Sequence, residues 1–149
     1  MQIIWFKNAP SANFIAEVKV KPGQTVQNIN NRSGIVLYKD GSTYDLFGAN
    51  GRAMHSGSLE LNANNKTDSY HWEAGVHLSQ NLGNVMKTPG EVTLRVVKRG
   101  AYLFYFYDGV YWGYEFVDDL KDACSVGVFT NGNAAFSNLS FIDYTGKDA

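Results

Sequence analysis

Carboxylates are the residues whose spacing could support hydrolysis, and here their spacing does not favour it. Glycoside hydrolysis needs two carboxyl groups flanking the scissile bond, about 5–5.5 Å apart in retaining enzymes and about 6.5–9.5 Å apart in inverting ones. No Glu-x-Asp-x-Glu or Glu-x-x-x-Glu string places such a pair on one strand, because the five glutamates stand alone at positions 17, 60, 73, 91 and 115. We therefore predict a protein that is not an enzyme.

Histidine and cysteine chemistry has equally little support. His55, His71 and His77 accompany no G-x-S-x-G nucleophile elbow. Cys124 is the single cysteine and opens the apolar run CSVGVF, so we interpret it as a buried, inert thiol. The aspartates in turn-rich loops lack the spacing of an EF-hand. We expect no metal and no cofactor.

Aromatic rings are the other chemical resource of this chain. Residues 105–116 read YFYDGVYWGYEF, in which seven of the twelve residues are aromatic. The dipeptide Asp108-Gly109 is typical of a two-residue type I′ hairpin turn, which would pair Tyr105 with Trp112. Both faces of that hairpin are aromatic. One carries Leu103, Tyr105, Tyr107, Val110, Trp112, Tyr114 and Phe116, and the other carries Tyr102, Phe104, Phe106, Tyr111, Gly113 and Glu115.

The first of these faces has rings with a hydrogen-bonding tip on an apolar body, which suits a sugar that offers C–H faces and hydroxyls. We predict that this face is exposed and binds ligand. The opposite orientation of the hairpin stays open. Leu103 and Phe116 favour burial of the first face, and Glu115 lies among the phenylalanines of the second face, which is an unfavourable place for it if that face is buried. A one-residue bulge near Gly113 would also change the register. The predicted ligand-binding rings are Tyr105, Tyr107, Trp112 and Tyr114.

Two other segments supply candidate ligand-binding residues. YHWEAGVH places Trp72 after a polar loop, where its ring can lie near the surface at a strand end. YDLFGANGR contains Tyr44, Asp45 and Arg52. Asp and Arg can grip vicinal hydroxyls through paired hydrogen bonds. A solvated loop arginine is an equally good interpretation of Arg52.

Strands must position these residues, because the dominant hydrophobic period is two. Only 117–123 can hold a short helical turn. The pattern predicts an all-β fold, a two-sheet antiparallel β-sandwich. The predicted strands are 13–20, 33–39, 43–47, 58–62, 72–78, 91–98, 101–107, 110–116, 125–130 and 135–142, and the turn clusters between them are KDGST, GANGR, NANNKTD, NLGN, KTPG, KRG, DG and TNGN.

Length and charge restrict the partners. The 149 residues fit one domain, 1–149, and the formal net charge of −1 argues against nucleic acid, which requires a basic patch. No stretch approaches the ~20 apolar residues of a membrane span. The start, MQIIWFKNAP, has no signal-peptide pattern and begins within a strand, so we expect a module excised from a larger protein. The weakly charged, Asn- and Gly-rich composition suits a neutral ligand.

Three segments carry a resemblance to known domains. VTLRVVKRGAYLFYFYDG, SVGVFTNGNAAFSNLSF and SGIVLY resemble strands of the concanavalin A-like, laminin-G-like jelly rolls. In bacteria, such domains are commonly carbohydrate-binding modules or accessory sandwiches of secreted glycosidases. The resemblance therefore implies a non-catalytic carbohydrate-binding module of an extracellular or cell-surface bacterial protein. The alternative that it leaves open is an adhesin-like or laminin-G-like interaction domain that packs on other domains of the same polypeptide.

Overall fold

The computed structural model describes residues 2–8, 12–25, 32–40, 43–52, 59–66, 77–85, 90–130, 132 and 134–143. Within them the chain forms strands and one 3₁₀ turn. The elements are β1 (Gln2–Asn8), β2 (Asn13–Pro22), β3 (Gln24–Thr25), β4 (Arg32–Asp40), β5 (Thr43–Arg52), β6 (Leu59–Lys66), β7 (His77–Val85), β8 (Val92–Arg99), β9 (Tyr102–Tyr107), β10 (Val110–Phe116), the 3₁₀ turn Asp118–Leu120, β11 (Ser125–Thr130) and β12 (Ala134–Asp143).

The strands form two antiparallel sheets, which confirms the predicted fold class. The larger sheet has the order β1-β11-β4-β5-β6-β7, and β3 adds a short parallel pair at the end of β5. The smaller sheet has the order β10-β9-β8-β2-β12. The part of the chain that is described contains no helix long and apolar enough to span a membrane.

The main core lies between the two sheets and follows the predicted period of two. In β2 the inward residues from Phe14 to Val20 are buried and alternate with half-buried ones. They pack in one cluster with residues of the larger sheet such as Leu37 and Phe47. Full burial of a side chain of this size contributes about 1.5–3 kcal/mol, so this layer is the main source of stability.

The outer faces of the two sheets differ. In the larger sheet, Val36, Leu46 and Phe129 form a second buried cluster, so the centre of this sheet is buried on both faces. In the smaller sheet, the outward residues of β8 are half-buried or exposed. An antiparallel sheet commonly has one wet face. Among the described residues, the smaller sheet therefore presents an open face.

Several predicted turns are wrong. GANGR lies within β5, β6 continues to Lys66 through part of NANNKTD, and β7 runs through NLGN. The turn chemistry of Gly and Asn is overridden here because β5 pairs with β4 on one side and β6 on the other. The predicted strand at 72–78 falls largely outside the described residues. The predicted helical turn is confirmed as the 3₁₀ turn.

The predicted type I′ hairpin turn is confirmed. Asp108 and Gly109 both have positive φ, of 47° and 81°. The backbone N–H of Asp108 donates to the carbonyl of Thr93 at 2.8 Å, and the Asp108 carboxylate accepts from the Thr93 N–H at 2.9 Å. These bonds tie the turn to β8 and fix where the hairpin begins.

β4 and β5 approach each other so closely at position 34 that only glycine fits there. A Cβ on Gly34 would lie 2.1 Å from the carbonyl oxygen of Phe47 and 2.8 Å from the Cα of Gly48. We expect Gly34→Ala to lower the free energy of unfolding by about 3 kcal/mol, because only backbone movement can relieve the clash. Chemical denaturation measures this loss. Gly109→Ala is the control, since its Cβ meets open space and its positive φ costs only about 1 kcal/mol. An equal or smaller loss for Gly34→Ala would contradict the close approach.

Candidate functional site

The register of the β9–β10 hairpin changes at Trp112. Tyr111 pairs with Phe106 as the turn requires, but the next pair joins Gly113 with Tyr105, so Trp112 is an extra residue in β10. The predicted pairing of Tyr105 with Trp112 is therefore wrong, and the alternative of a bulge near Gly113 is what the structure contains. Since side chains alternate between faces, one extra residue reverses the facing of all later residues in the strand.

The predicted exposed face is wrong for Tyr105, which is 0% exposed and lies between the sheets. Tyr107 and Trp112 are half-buried and pack against the main core, with ring centroids 5.0 Å apart in an edge-on arrangement. Tyr114 alone of the four predicted rings is well exposed, at 54%, because the bulge moves it to the opposite face.

The buried Tyr105 hydroxyl contacts two carboxylates. It donates to Asp45 Oδ2 at 2.9 Å and to Glu115 Oε1 at 2.5 Å, so its single proton is shared between two acceptors. Asp45 is fully buried and Glu115 nearly so. Burial raises the pKa of Tyr105 well above 10, and the two carboxylates raise it further. We call these three residues the inter-sheet cluster, because Asp45 belongs to the larger sheet and the other two to the smaller one.

Of the remaining predicted site residues, the structure describes the side chain of Tyr44, which lies away from Tyr105. Tyr44 is buried on the outer face of the larger sheet, where its ring stacks on Tyr38 with centroids 6.4 Å apart. Arg52 is the last residue of β5. Trp72 lies outside the described residues. The structure thus brings Asp45 and Tyr105 together, but in the core.

The exposed aromatic surface combines β9 rings and Tyr111 from the face that was predicted to be buried with Tyr114 and Phe116 from the face that was predicted to be exposed. Its rings lie on β9 and β10 as a group of four and an adjacent pair, Phe106 and Tyr111, and are here called the aromatic platform. Centroids are 6.3 Å apart for Tyr102 and Phe104, 6.1 Å for Phe104 and Tyr114, and 5.0 Å for Tyr102 and Phe116. Exposure reaches 57% at Phe116. The platform consists of Tyr102, Phe104, Phe106, Tyr111, Tyr114 and Phe116.

Two features continue the platform across the smaller sheet. Beside Phe106, Arg95 donates from Nε to Glu17 Oε2 at 2.6 Å, and this ion pair is partly exposed. In the neighbouring row, apolar residues cross all five strands, and we call this the apolar row. It consists of Tyr114, Phe104, Val97, Ile15 and Ile142.

The sequence contained a signal for this arrangement. Glycine inside a strand often marks a bulge, and Gly113 is such a residue. A bulge there explains in one step why Glu115, which was out of place among phenylalanines, lies inside and Phe116 lies outside. Two-residue alternation without that bulge gives the wrong face.

A second place with reactive side chains lies near Cys124. A cavity of about 250 Å³ is lined there by Asn8, Tyr38 and Cys124 among others. Burial raises the pKa of Cys124 to about 11, so the thiol is protonated at neutral pH, and its predicted burial is confirmed. Nearby, buried Lys98 donates to the carbonyls of Ala12 and Asp122. Lys98 thereby holds these two chain segments together, and the protonated thiol of Cys124 is not an activated nucleophile.

Comparison with known proteins bears on the fold. No protein-family model and no curated protein sequence matches the chain. Solved structures do match. A GH43 protein from Bacillus licheniformis superimposes with a TM-score of 0.64 at 18% identity, over 89% of this chain and 28% of that one. A tetrameric galectin from the ball sponge Cinachyrella gives 0.59 at 14% identity, over 93% and 98%. The carbohydrate binding module CBM66 from Bacillus subtilis gives 0.57 at 13% identity, over 93% and 81%.

The chain folds as a lectin-like jelly roll. The resemblance to concanavalin A-like domains is thereby confirmed at the level of the fold. The chain spans less than a third of the GH43 protein that it matches. Superpositions at identities this low establish the architecture alone. The site must be argued from this chain's own residues.

Loss of the Tyr105 hydroxyl is expected to weaken the sandwich. In Tyr105→Phe, two buried carboxylates lose their shared donor, so we expect the free energy of unfolding to fall by about 2 kcal/mol. Denaturant titration measures the change. Tyr102→Phe removes an exposed hydroxyl from the same strand and is expected to change stability by less than about 0.5 kcal/mol. Equal effects of the two substitutions would show that the inter-sheet cluster does not stabilise the fold.

The raised pKa of Tyr105 predicts a loss of stability at alkaline pH. Below pH 10 the phenol is protonated in both states and its contribution is complete; above about pH 10 it ionises only in the unfolded chain, which favours unfolding. The wild type is therefore expected to lose up to about 1.4 kcal/mol per pH unit relative to Tyr105→Phe above pH 10. Cys124 and Tyr44 titrate in both proteins, so the difference between their stability curves isolates Tyr105. Parallel curves would contradict the assignment.

Proposed function

We propose that this protein is a non-catalytic carbohydrate-binding module and that the aromatic platform is its binding surface. The observation that supports this most directly is the set of exposed rings on one sheet face, four of which are 46–57% exposed. Rings on an outer sheet face stabilise the sheet through cross-strand pairs but add little to the core between the sheets. Flat aromatic faces instead match the C–H faces of sugar rings, and tyrosine hydroxyls add hydrogen bonds.

The surroundings of the platform favour an uncharged ligand. None of its six members is charged, and the adjacent Arg95 is paired with Glu17 at 2.6 Å, so that exposed Arg99 beside Tyr102 adds a single positive charge at one end of the platform. The chain as a whole has a net charge of −1. A sugar polymer without ionic groups is therefore a better match than nucleic acid or a polyanion.

Attachment to a larger protein is part of this proposal. The GH43 protein from B. licheniformis contains this fold as 28% of a longer chain, and CBM66 from B. subtilis is a carbohydrate binding module. We propose that this chain likewise serves a secreted bacterial protein, to which it contributes binding while catalysis lies elsewhere. The described glutamates outside β6 support this proposal, because each already has a partner. Glu115 is buried with Tyr105, Glu17 pairs with Arg95, and Glu91 lies near Lys19.

Substitution of a platform ring tests the function. We expect Tyr114→Ala to lower the association constant for the best-binding polysaccharide by about ten-fold, because one stacked ring supplies about 1.4 kcal/mol of binding. Affinity electrophoresis against neutral plant polysaccharides and fructans identifies the ligand, and calorimetry measures the constant. The variant is expected to lose no more than about 1 kcal/mol of stability, since Tyr114 is exposed and its ring contacts Tyr102 and Phe104.

Ile142→Ser is the matched control for that experiment. Ile142 is as exposed as Tyr114, lies on the same sheet face, and belongs to the apolar row without belonging to the platform. Binding by ring stacking predicts that this variant keeps the wild-type affinity. Absence of binding to every polysaccharide, or equal loss in both variants, would contradict the proposed site.

The apolar row supports a second candidate function. Val97, Ile15 and Ile142 extend the apolar surface beyond the rings, and sugar stacking has no use for them. A neighbouring domain of the same polypeptide that packs on the smaller sheet would cover them. In this alternative the chain is an interaction module, and the rings belong to a protein–protein interface.

Thiol accessibility distinguishes this alternative. Ile142→Cys is expected to react quickly with a maleimide in the isolated chain, while native Cys124 stays slow because it is buried with a raised pKa. A covering domain predicts strong protection of the new thiol when the chain is part of a longer native protein. Lys21→Cys, exposed on another part of the sheet, controls for general accessibility. Equal labelling in both contexts would contradict the interface.

A further inference from the structure

The ion pair beside the rings leaves N–H groups of its arginine exposed. Arg95 lies between Phe106 and Glu17 in one row across the smaller sheet, with Tyr111 at the end of that row. The guanidinium bonds Glu17 through Nε, and among the described residues it makes no other hydrogen bond. Its two terminal nitrogens therefore remain available, on a side chain that is 43% exposed.

Pairing with Glu17 fixes both the orientation and the charge of Arg95. The short Nε bond holds the planar guanidinium in place, so that little conformational entropy is lost when its outer N–H groups bind a ligand. The carboxylate cancels the positive charge, so the pair offers hydrogen bonds without attracting anions. Vicinal hydroxyls of an uncharged sugar satisfy such donors and can also donate to the carboxylate of Glu17.

The rings define a direction for the ligand. On β9 the outward rings recur at every second residue from Tyr102 to Phe106, which corresponds to about 13 Å of strand. Each has a partner ring on β10, so the platform is two strands wide and three rows long. Neighbouring strands are only about 4.8 Å apart, so a unit stacked on Phe106 has its edge hydroxyls above Arg95.

We infer that the aromatic platform and the Arg95–Glu17 pair form one site for an uncharged, linear glycan, which lies along β9 and β10 and contacts the protein through about three consecutive sugar units. Arg95 selects the unit over Phe106 through its vicinal hydroxyls. This inference rests on the proposed function and adds the class of ligand, its orientation and the polar residues that orient it.

Chain length provides the first test. Calorimetric titrations use xylo-, gluco- and fructo-oligosaccharides from the monosaccharide to the hexasaccharide, with galacturonate oligosaccharides as a charged series. In the neutral series that binds, we expect affinity to increase up to about the trisaccharide and then to level off. It is expected to change little with salt. Equal affinity for monosaccharide and trisaccharide, or tighter, salt-dependent binding of the galacturonate series, would overturn the inference.

Arg95→Gln provides the second test. We expect a loss of about ten-fold in affinity for the trisaccharide, because charge-assisted hydrogen bonds to its hydroxyls are removed. Lys19→Gln is the matched control, since Lys19 also pairs with a glutamate on this face, at 3.9 Å from Glu91, but lies away from the rings. The two variants are expected to unfold like the wild type, because partly exposed ion pairs contribute little to stability.

The outcomes separate this inference from the proposed function. If Tyr114→Ala weakens binding but Arg95→Gln leaves it unchanged, the glycan site survives and the role of the ion pair is overturned. If chain length has no effect while Tyr114→Ala weakens binding, the extended orientation is overturned. Absence of binding to every neutral series would overturn both the inference and the proposed function.

Discussion

A single extra residue in β10 determines which side chains of the hairpin face the core and which face solvent. The type I′ turn at Asp108 and Gly109 starts the pairing in a fixed register, and the bulge at Trp112 then reverses the facing of everything that follows. Without it Glu115 would point into solvent. With it, Glu115 reaches the Tyr105 hydroxyl at 2.5 Å, and the rings that come before and after it turn outward.

The inner and outer faces of the hairpin are linked through this constraint. The phenol of Tyr105 lies within hydrogen-bond distance of both buried carboxylates and offsets part of the cost of removing them from water. A buried polar group that lacks such a partner costs free energy, so the cluster favours the bulged register over a regular one. The same register holds the outer rings against each other, with centroids between 5.0 and 6.3 Å apart. The platform is thus fixed from inside the core.

The location of the platform separates it from the other exposed parts of the fold. The outer face of the larger sheet is closed at its centre by Val36, Leu46 and Phe129, whereas the smaller sheet presents rings, an ion pair and the apolar row. Galectin, CBM66 and GH43 neighbours share the architecture at 13–18% identity, which leaves the choice of surface to each chain's own side chains. In this chain, six rings converge with Arg95 and Glu17 on the smaller sheet, and this is the surface that we propose.

The sequence by itself determined the strands of period two, the type I′ turn, the two-sheet class and the concentration of rings at 102–116, because these follow from local alternation and turn chemistry. It did not determine which rings are exposed. Simple alternation placed Tyr105 outside and Phe104 inside, and the structure reverses both. Pairing between strands also overrode the turn residues of GANGR. The register of β10 and the face on which each of its side chains lies depend on contacts between strands that are distant in the sequence. Asp45 of β5 bonds Tyr105 of β9, and only the tertiary structure brings these two residues together.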